Sequence, residues 1–551
     1  MATGTVVSRV TGVARDIAAA AALGFYIVAD AFSLGNSLPN IIYILVVGGA
    51  LNAVFVPQLV RRMKEDDDDG RAYADRLLTL VGTILLILAV LAVALAPFIV
   101  DLYTPADYPP EAFDLAVAFA RLCLPQILFY GIYTMLSQVL NARGQFGAPM
   151  FAPIANNIVA IATFTLFIVV AGTSAAADGI LTTDQVLILG IGTTLGVVIQ
   201  ALILIPVLTR AGHVWRPRFD WRDAGLGKAA MLAGGTIGLV LVNQLTYLVI
   251  TRLATQANVN AAAAGTTAAG LTTYQKAHLV FMLPHSVITI SIVTALLPTL
   301  SRMAHDGRLR ELGSDVGSAM RFVAALILPV AAILVVLGSS VAVLLFGYGA
   351  ATPEQASVMG TVVSLFMLGL LPFTLFYVLL RGFYALEDTR TPFVITIAFS
   401  IAWLVMAVPL FTLVGQDNGG APQIAMLALT YSLSYWIGLA ITWIVLARRT
   451  GGLDSGRTIW AVVRMVIAAA IAIAVMALVL ALVSRYVTGT SLRPASADKL
   501  AVLVNVVIVS IAGLLAYLAA AWAMRIHEVQ QGIALVRRKA RIGAGSRGGF
   551  Q

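Results

Sequence analysis

The sequence predicts an all-α polytopic membrane protein with 14 transmembrane helices. Three observations predict this class. The chain of 551 residues is 60% hydrophobic and only 11% charged, apolar stretches of about 20 residues recur along almost its whole length, and Lys and Arg collect in alternate connections between those stretches. A helix of about 20 residues crosses a bilayer core of about 30 Å, and a soluble core has no need for repeated runs of that length.

The apolar stretches place the helices in order along the chain. The predicted spans are 8–30, 38–60, 77–100, 115–141, 148–171, 185–209, 228–252, 271–301, 320–347, 357–385, 391–414, 422–447, 459–484 and 499–524. The longest polar segments are the connections near 61–76, 210–227 and 302–319 and the tail after 525. These segments leave no room for a soluble domain.

Positive charge separates the connections into two sets. The basic set contains Arg61, Arg62, Lys64, Arg71 and Arg76, then Arg143, then Arg210, Arg216, Arg218, Arg222 and Lys228, then Arg302, Arg308 and Arg310, then Arg390, and finally Arg448, Arg449 and Arg457. The gaps of the other set at 31–37, 101–114, 172–184, 253–270, 348–356 and 415–421 contain neither Lys nor Arg. The exception is the last outer gap, with Arg485, Arg493 and Lys499. The positive-inside rule therefore predicts cytoplasmic N- and C-termini in a bacterial plasma membrane, and the basic tail agrees.

Composition also excludes several classes of function. The net charge of +9 is explained by topology and by attraction to anionic inner-leaflet lipid, so no nucleic acid is expected as a partner. The single cysteine, Cys123, allows no intrachain disulfide. No nucleotide-binding or metal-ligand motif occurs, so we expect no cofactor and no direct use of ATP. The outer connections are short and mostly uncharged, which argues against a membrane enzyme.

An internal repeat divides the chain. Pro57 and Pro298, near the ends of the second and eighth spans, are 241 residues apart, and Tyr130 and Phe373 begin a second echo at an offset of 243. We therefore predict two six-helix lobes of the same orientation, with two extra helices. The predicted divisions are an N-lobe at 1–209, an amphipathic linker at 210–227, a C-lobe at 228–450, a helix pair at 451–524 and a basic tail at 525–551. Paired lobes suit alternating access, and a duplication without such motion is the alternative.

The first span carries four ionisable residues, Arg9, Arg15, Asp16 and Asp30. Such groups are costly within a membrane and mark a site or a pathway by default. At 100° per residue, Arg9, Asp16 and Asp30 would fall within about 60° of one another on one face. An Arg–Asp pair that only locks helices together is the alternative for Asp16. Two cations against one adjacent anion leave an excess of positive charge.

Further cations lie toward the predicted outer side of the seventh and eighth spans. These are Arg252 and Lys276, with His278 and His285 nearby. The alternative for Arg252 is a side chain that only extends to the outer membrane interface. The alternative for each histidine is a packing role, which is more common for a lone histidine within a membrane. Together the two halves supply cations to one presumed cavity, whose expected occupant is an anion.

The motifs resemble a known family. The opening pattern is Ser8-Arg9-Val-Thr-Gly12-Val-Ala-Arg15-Asp16, Ala29-Asp30-Ala-Phe32, Leu38-Pro39-Asn40, Gly49-Ala50 and Ala53 to Pro57, and later landmarks are Leu-Leu-Pro-x-Leu-Ser at 296–301 and Arg381-Gly-Phe-Tyr-Ala385-x-x-Asp388-Thr-x-Thr-Pro392. In order and spacing these resemble the MurJ/MviN family of the multidrug/oligosaccharidyl-lipid/polysaccharide exporters. The composition resembles the actinobacterial branch.

The resemblance implies a V-shaped fold of two lobes around a cationic cavity lined by helices 1, 2, 7 and 8. It implies that helices 13 and 14 form a groove for a lipid tail. It also implies a flippase that moves lipid II, the undecaprenyl-pyrophosphate-linked peptidoglycan precursor, for cell-wall and cell-shape biogenesis. The implied partners are lipid II, membrane lipid and the cell-wall synthesis machinery. On matching positions the substrate-binding residues are Arg9, Arg15, Asp16 and Asp30.

Two departures from the family pattern affect the expected site. Many members have arginines shortly after Leu-Pro-Asn, where this chain has Tyr43 and Ile44, and an arginine in the eighth helix, where it has Leu279. Arg252 and Lys276 are expected to supply the missing charge. The alternatives for function are a flippase for another polyprenyl-linked glycan, a cation-coupled drug exporter of the same superfamily, and a scaffold without transport.

Overall fold

A computed structural model of the chain describes residues 2–48, 62, 68, 70–220, 226–415, 418–488 and 498–530. Within these ranges the regular elements are helices and no β-strand occurs, which confirms the predicted all-α class. Most of the first copy of the repeat at 53–63, most of the acidic run at 65–69 and the tail at 531–551 lie outside the described residues.

The helices follow one another with short connections. In chain order they are α1 (Ala2–Leu23), α2 (Ile27–Tyr43), α3 (Arg71–Ala94), α4 (Ala96–Tyr103), α5 (Pro110–Cys123), α6 (Gln126–Ala142), α7 (Gly147–Ala171), α8 (Thr183–Leu202), α9 (Leu204–Arg210), α10 (Leu226–Ala263), α11 (Leu271–Pro284), α12 (Ile290–His305), α13 (Leu309–Phe346), α14 (Pro353–Met367), α15 (Leu370–Ala385), α16 (Arg390–Leu413), α17 (Gly420–Thr450), α18 (Ser455–Val483) and α19 (Lys499–Ala523). Single π-helical turns follow α2, α11 and α18, at Ile44–Gly48, His285–Thr289 and Ser484–Thr488.

The membrane-spanning class is also supported by helix length and composition. Among the described residues 11 helical stretches are long and apolar enough to cross a membrane, or 12 if α14 and α15, which are bent by 48°, form one span. The helices α1 and α2 are not among these stretches. The predicted count of 14 is therefore not confirmed, although the predicted spans at 148–171, 391–414 and 499–524 agree with α7, α16 and α19 within a few residues.

The first predicted span is wrong in one important respect. The structure ends α1 at Leu23, turns at Gly24 with a φ of +62°, and begins α2 at Ile27, so 8–30 is not one helix. A side chain at Gly24 would bring its Cβ to 2.8 Å from the carbonyl oxygen of Ala350, and the amide of Ala350 donates a hydrogen bond to Ala21. Positive φ and this close approach both favour glycine. The single face predicted for Arg9, Asp16 and Asp30 therefore does not exist.

The described chain separates into two compact units. The first consists of residues 1–274, 345–355 and 408–424, and the second of 275–344, 356–407 and 425–551. The first unit includes α10, which the sequence analysis places in the second lobe. The predicted lobe boundaries stay a prediction.

In the first unit, helices pack through small residues and aromatic rings. The helix α1 packs on α7, α7 on α8, α2 on α5 and α3 on α6. Gly35 of α2 allows a close approach to α5, since a Cβ there would lie 2.8 Å from the amide nitrogen of Ala120. Phe32 makes edge-to-face contacts with Phe119 and Phe164, with ring centroids 5.2 and 5.8 Å apart. Small residues at contacts are typical of helices that pack within lipid.

In the second unit, aromatic side chains form a cluster around Phe281. Phe281 of α11 contacts Phe366, Phe373 and Tyr431 with ring centroids 5.2–5.6 Å apart. The helices α18 and α19 pack along each other, and Gly513 of α19 leaves room for Met476 of α18. This pair is the one that the sequence analysis predicts as extra helices.

A buried arginine ties α13 to the end of the second unit. Arg321 is 4% exposed, and its guanidinium donates to Glu528 at 3.0 Å, to the hydroxyl of Thr458 at 2.7 Å and to the hydroxyl of Ser318 at 2.7 Å. Asp454 lies 3.7 Å from the same group. The network therefore joins α13 to the beginning of α18 and to the segment that follows α19. This role of Arg321 was not predicted from the sequence.

Candidate substrate-binding site

The first group of the candidate site lies on α1, where Arg15 contacts two polar partners. Its Nη2 donates to Oδ2 of Asp16 at 3.2 Å, and its Nη1 donates to Oδ1 of Asn157 at 3.2 Å. Asp16 is buried, whereas the Arg15 side chain is 37% exposed. The structure therefore brings Arg15 and Asp16 together and leaves part of the guanidinium available to a ligand.

Asn157 of α7 fixes the position of this group. Its Nδ2 donates to the carbonyl of Ser8 at 3.2 Å and to the hydroxyl of Thr11 at 3.0 Å, while its Oδ1 accepts from Arg15. Gly12 faces the same amide, and a Cβ there would lie 3.7 Å from it. Asn157 was not among the predicted site residues. A pair of asparagines, Asn156-Asn157, inside a predicted apolar span was the signal that could have identified it.

Arg9 provides a second cation on the same helix. It lies six residues before Arg15 and is half-buried. Within the part of the chain that the structure describes, no carboxylate lies within ion-pair distance of Arg9. The ionised side chains of α1 are therefore two cations, Arg9 and Arg15, and one anion, Asp16, which leaves an excess of one positive charge. This excess was expected from the sequence, and an excess cation that is only partly exposed attracts an anionic ligand.

Tyr43 stands at one of the positions where the resemblance led us to expect an arginine. Its hydroxyl donates to the hydroxyl of Thr134 on α6 at 2.7 Å, and its ring lies 6.1 Å from that of Tyr130. One turn before Tyr130 on α6, the side-chain amide Nε2 of Gln126 donates a hydrogen bond to the hydroxyl of Thr194 at 2.9 Å. The departure at Tyr43 therefore replaces a charge by a neutral hydrogen-bonded group.

Asp30 lies apart from Arg15, at the N-terminus of α11. The carboxylate is 1% exposed and both of its oxygens accept hydrogen bonds. Oδ1 accepts from the amide of Thr272 at 2.7 Å, and Oδ2 accepts from the amide of Leu271 at 3.0 Å and from Nδ2 of Asn258 at 2.9 Å. A carboxylate at this position satisfies the free amides of the first helical turn and complements the helix dipole.

Gly270 and Ser33 support the same contact. A Cβ at Gly270 would lie 2.1 Å from Oδ2 of Asp30, so only glycine allows the carboxylate to approach the first turn of α11. The hydroxyls of Ser33 and Thr272 lie 3.0 Å apart. The contacts of Asp30 are therefore those of a residue that holds α2 to α10 and to the beginning of α11. Direct contact between Asp30 and a substrate stays a prediction.

The two remaining predicted cations lie on α10 and α11. The Arg252 side chain is exposed on α10, and its Nη1 lies 3.5 Å from the carbonyl oxygen of Leu102, near the end of α4. In the loop after α4, Asp107 accepts a hydrogen bond from the side chain of Gln256 at 2.8 Å. Lys276 is half-buried on α11 and belongs to the second unit. Their role as replacement cations stays a prediction.

The two histidines of the eighth predicted span lie among aromatic rings. His278 is 3.2 Å from the hydroxyl of Tyr431 and packs against Phe281 and Phe366. His285 packs against Phe373 and Tyr377 with ring centroids 4.6 and 4.8 Å apart. These surroundings favour the packing alternative of the sequence analysis over a direct role in the site.

The chain is similar to a family of known proteins over most of its length. A sequence model of the family described as "Lipid II flippase MurJ" matches residues 19–495. A protein of Rhizobium meliloti (strain 1021) called "Probable lipid II flippase MurJ" is 30% identical over 476 residues, which are 85% of this chain and 83% of that protein. A protein of the same name from Haemophilus influenzae is 29% identical over 429 residues, covering 75% of this chain and 80% of the relative.

Solved structures share the fold. One described as "Lipid II flippase MurJ, inward closed conformation" matches with a TM-score of 0.71 and 18% identity, over 95% of this chain and 98% of that chain. A multidrug resistance transporter of the MATE family, in the MOP superfamily, matches with a TM-score of 0.59 and 16% identity, over 81% of this chain and 96% of the transporter. These likenesses concern the fold of a multi-span helical membrane transporter. The sequence matches show that the chain belongs to the MurJ family of lipid II flippases.

Proposed function

We propose that this protein moves a lipid-linked peptidoglycan precursor, lipid II, from the inner to the outer leaflet of the bacterial plasma membrane. The observation that carries the proposal is the excess positive charge on α1, at Arg9 and Arg15, in a chain of this family. A pyrophosphate is a double anion whose oxygens match the planar donors of a guanidinium. The names of the relatives supply the precursor, and the charge explains why it would bind.

The proposed mechanism begins with the headgroup in contact with Arg9 and Arg15. Asn157 and Asp16 position the guanidinium of Arg15 but leave its donors partly available, so the pyrophosphate oxygens complete its hydrogen bonding. The lipid tail stays in the bilayer beside α18 and α19. Alternating access then exposes the headgroup to the other side, near Arg252 and Lys276.

The proposed orientation has both termini in the cytoplasm, because the positive connections would then face inward. An anion that moves outward then travels toward the positive side of the membrane. This movement is downhill by about 2.3 kcal/mol per charge per 100 mV, so the membrane potential is sufficient to drive it. The predicted divisions at 1–209, 228–450 and 451–524 are part of this proposal, and we include the cell-wall synthesis machinery as a proposed partner.

Depletion of the protein in its own bacterium tests the function. We expect lipid II to accumulate on the inner leaflet while cross-linked cell wall declines. Normal distribution of lipid II, with another polyprenyl-linked glycan trapped or a cationic drug retained, would assign the protein to one of the alternative functions. The measurement is the leaflet location of the labelled precursor in spheroplasts before and after depletion.

Arg15→Ala tests the binding site itself. Loss of hydrogen bonds from a charged donor costs about 1.5–3 kcal/mol, so we expect binding of an undecaprenyl-pyrophosphate probe to weaken roughly 10- to 100-fold. Arg302→Ala, which changes an exposed arginine of α12, is the matched control and is expected to bind the probe normally. Unchanged binding in Arg15→Ala would remove Arg15 from the site.

A further inference from the structure

An apolar cavity lies in the first unit, away from the residues of the proposed substrate site. Its volume is about 430 Å³, within the usual range of small-ligand sites. It lies among α3, α6, α9 and the segment 213–219, and neither Arg9, Arg15 nor Asp30 lines it. Its lining comes from the middle of α3 at 78–86, from the first turns of α6 at 128–136 and from α9, which is followed directly by the arginine-rich connection 210–227.

The cavity is lined mostly by aliphatic and aromatic side chains, with three threonines and His213 among them. Leu86 of α3, Leu202 of α8 and Ile205 of α9 line it and are also exposed on the surface of the chain. In a membrane-spanning protein, exposed aliphatic side chains at this position face lipid acyl chains. The cavity is therefore continuous with the lipid-facing surface, and the chemistry of its lining suits an acyl chain.

The segment 213–220 covers the cavity and is fixed in place by polar contacts. His213 lies 3.0 Å from Asp75, the amide of Arg218 donates to the hydroxyl of Thr79 at 3.0 Å, and Arg76 donates to Asp220 at 2.6 Å. Burial lowers the pKa of His213, and the cation of Arg143 acts in the same direction against the opposing effect of Asp75. The buried contact of His213 with Asp75 keeps the segment against α3.

The side chains of this segment alternate in chemistry. Trp215, Pro217 and Phe219 line the cavity, and the intervening residues Arg216 and Arg218 are exposed. Among the described residues, Arg216 forms no ion pair, and the nearby carboxylate of Asp220 is already bound by Arg76. Aromatic rings that line an apolar cavity, with exposed cations next to them in the chain, complement an anionic phospholipid, which joins an acyl chain to a charged phosphate.

We propose that this cavity binds an anionic membrane phospholipid, with an acyl chain among α3, α6 and α9 and the phosphate beside Arg216 and Arg218. The site is separate from the one for the transported substrate. Its assignment to the inner leaflet rests on the proposed orientation, whereas the binding of the phospholipid does not. The bound phospholipid would hold the linker between the two predicted lobes against the first unit.

Gly82 offers a direct test, because it lines the cavity and a Cβ at this position would meet no atom within 4 Å. Gly82→Phe places a ring in the cavity without a clash in the helix. Gly147→Phe is the matched control, since Gly147 is exposed, also has open space at its Cβ and lies outside the cavity. The full-length protein is delipidated in mild detergent, and binding of phosphatidylglycerol and phosphatidylcholine is measured by native mass spectrometry.

We expect the unaltered protein and Gly147→Phe to retain phosphatidylglycerol in preference to phosphatidylcholine. Gly82→Phe is expected to lose about tenfold or more of its phosphatidylglycerol affinity. The double variant Arg216→Gln/Arg218→Gln is expected to lose affinity for phosphatidylglycerol by about 10- to 30-fold while its weaker phosphatidylcholine binding is kept.

Equal phosphatidylglycerol binding in Gly82→Phe and the unaltered protein would overturn the proposal. A competition experiment could also overturn it. If undecaprenyl pyrophosphate displaced phosphatidylglycerol from the unaltered protein but not from Gly82→Phe, the cavity would hold a polyprenyl lipid instead. Because the readout is lipid bound to purified protein, a failure of the flippase proposal would leave this result unchanged.

Discussion

Asp30→Ala is expected to destabilise the protein strongly. The substitution leaves the amides of Leu271 and Thr272 and the side-chain amide of Asn258 buried without their acceptor. Each of these three buried hydrogen bonds to a charged group contributes about 1.5–3 kcal/mol, so the total loss is on the order of 4–9 kcal/mol. The measurement is the thermal unfolding of the purified protein in detergent, expected to shift downward by several degrees.

Two further variants make the Asp30 result specific. Asp30→Asn keeps one acceptor oxygen but places an NH₂ group against a donor, so an intermediate loss is expected. Asp184→Ala removes another carboxylate from the first turn of a helix, α8, where the side chain is exposed, and is expected to change little. If Asp30→Ala and Asp184→Ala unfold at the same temperature, the cap on α11 does not stabilise the fold.

The Asp30 variants also separate its two possible roles. If the carboxylate acts only by holding α2 to α10 and α11, Asp30→Asn that remains folded should bind the undecaprenyl-pyrophosphate probe with nearly normal affinity. A large loss of affinity in this folded variant would support the predicted contact with substrate.

Arg321→Ala is expected to be the second strongly destabilising change. It leaves Glu528, whose side chain is 14% exposed, without its cation, and it removes the donors to Thr458 and Ser318. Removing one partner of a buried ion pair costs about 3–5 kcal/mol, because the remaining charge is buried without compensation. Thermal unfolding and limited proteolysis near residue 528 measure the effect, since the segment after α19 would lose its anchor on α13.

Arg321→Lys and Arg308→Ala are the comparisons for this prediction. A lysine keeps the charge but lacks the planar set of donors, so it should recover only part of the stability. Arg308, just before α13, forms an ion pair with Glu311 in the first turn of that helix. Both side chains are exposed, so Arg308→Ala should change the stability little. Equal stability of Arg321→Ala and Arg308→Ala would contradict the buried network.

The class of the protein was predictable because it depends on local properties of the chain. Hydrophobic length determines whether a helix can cross the bilayer, and this length is read directly from the sequence. The spans around α7, α16 and α19 were predicted within a few residues for this reason. The pairing of Arg15 with Asp16 and the excess cation on α1 were also accessible, since those residues are neighbours in the chain.

The break after Leu23 was missed because hydropathy does not detect a change of direction within an apolar run. The sequence 8–30 is continuous in apolar character, and Gly24 gives only a weak local signal. What decides the break is the packing of Ala350 against Ala21, which is more than 300 residues distant in the chain. A helical projection past Gly24 therefore placed Asp30 on the wrong face.

The sequence by itself determined the membrane-spanning all-α class and, through its motifs, the family. It also determined which helix carries the excess positive charge. Only the tertiary structure decided that Asp30 caps α11, that Asn157 positions Arg15 and that Arg321 anchors the end of the chain. Each of these contacts joins residues more than 100 positions apart. A side chain's hydrogen-bond partner depends on which helices pack together, and one sequence read by periodicity carries no distance between them.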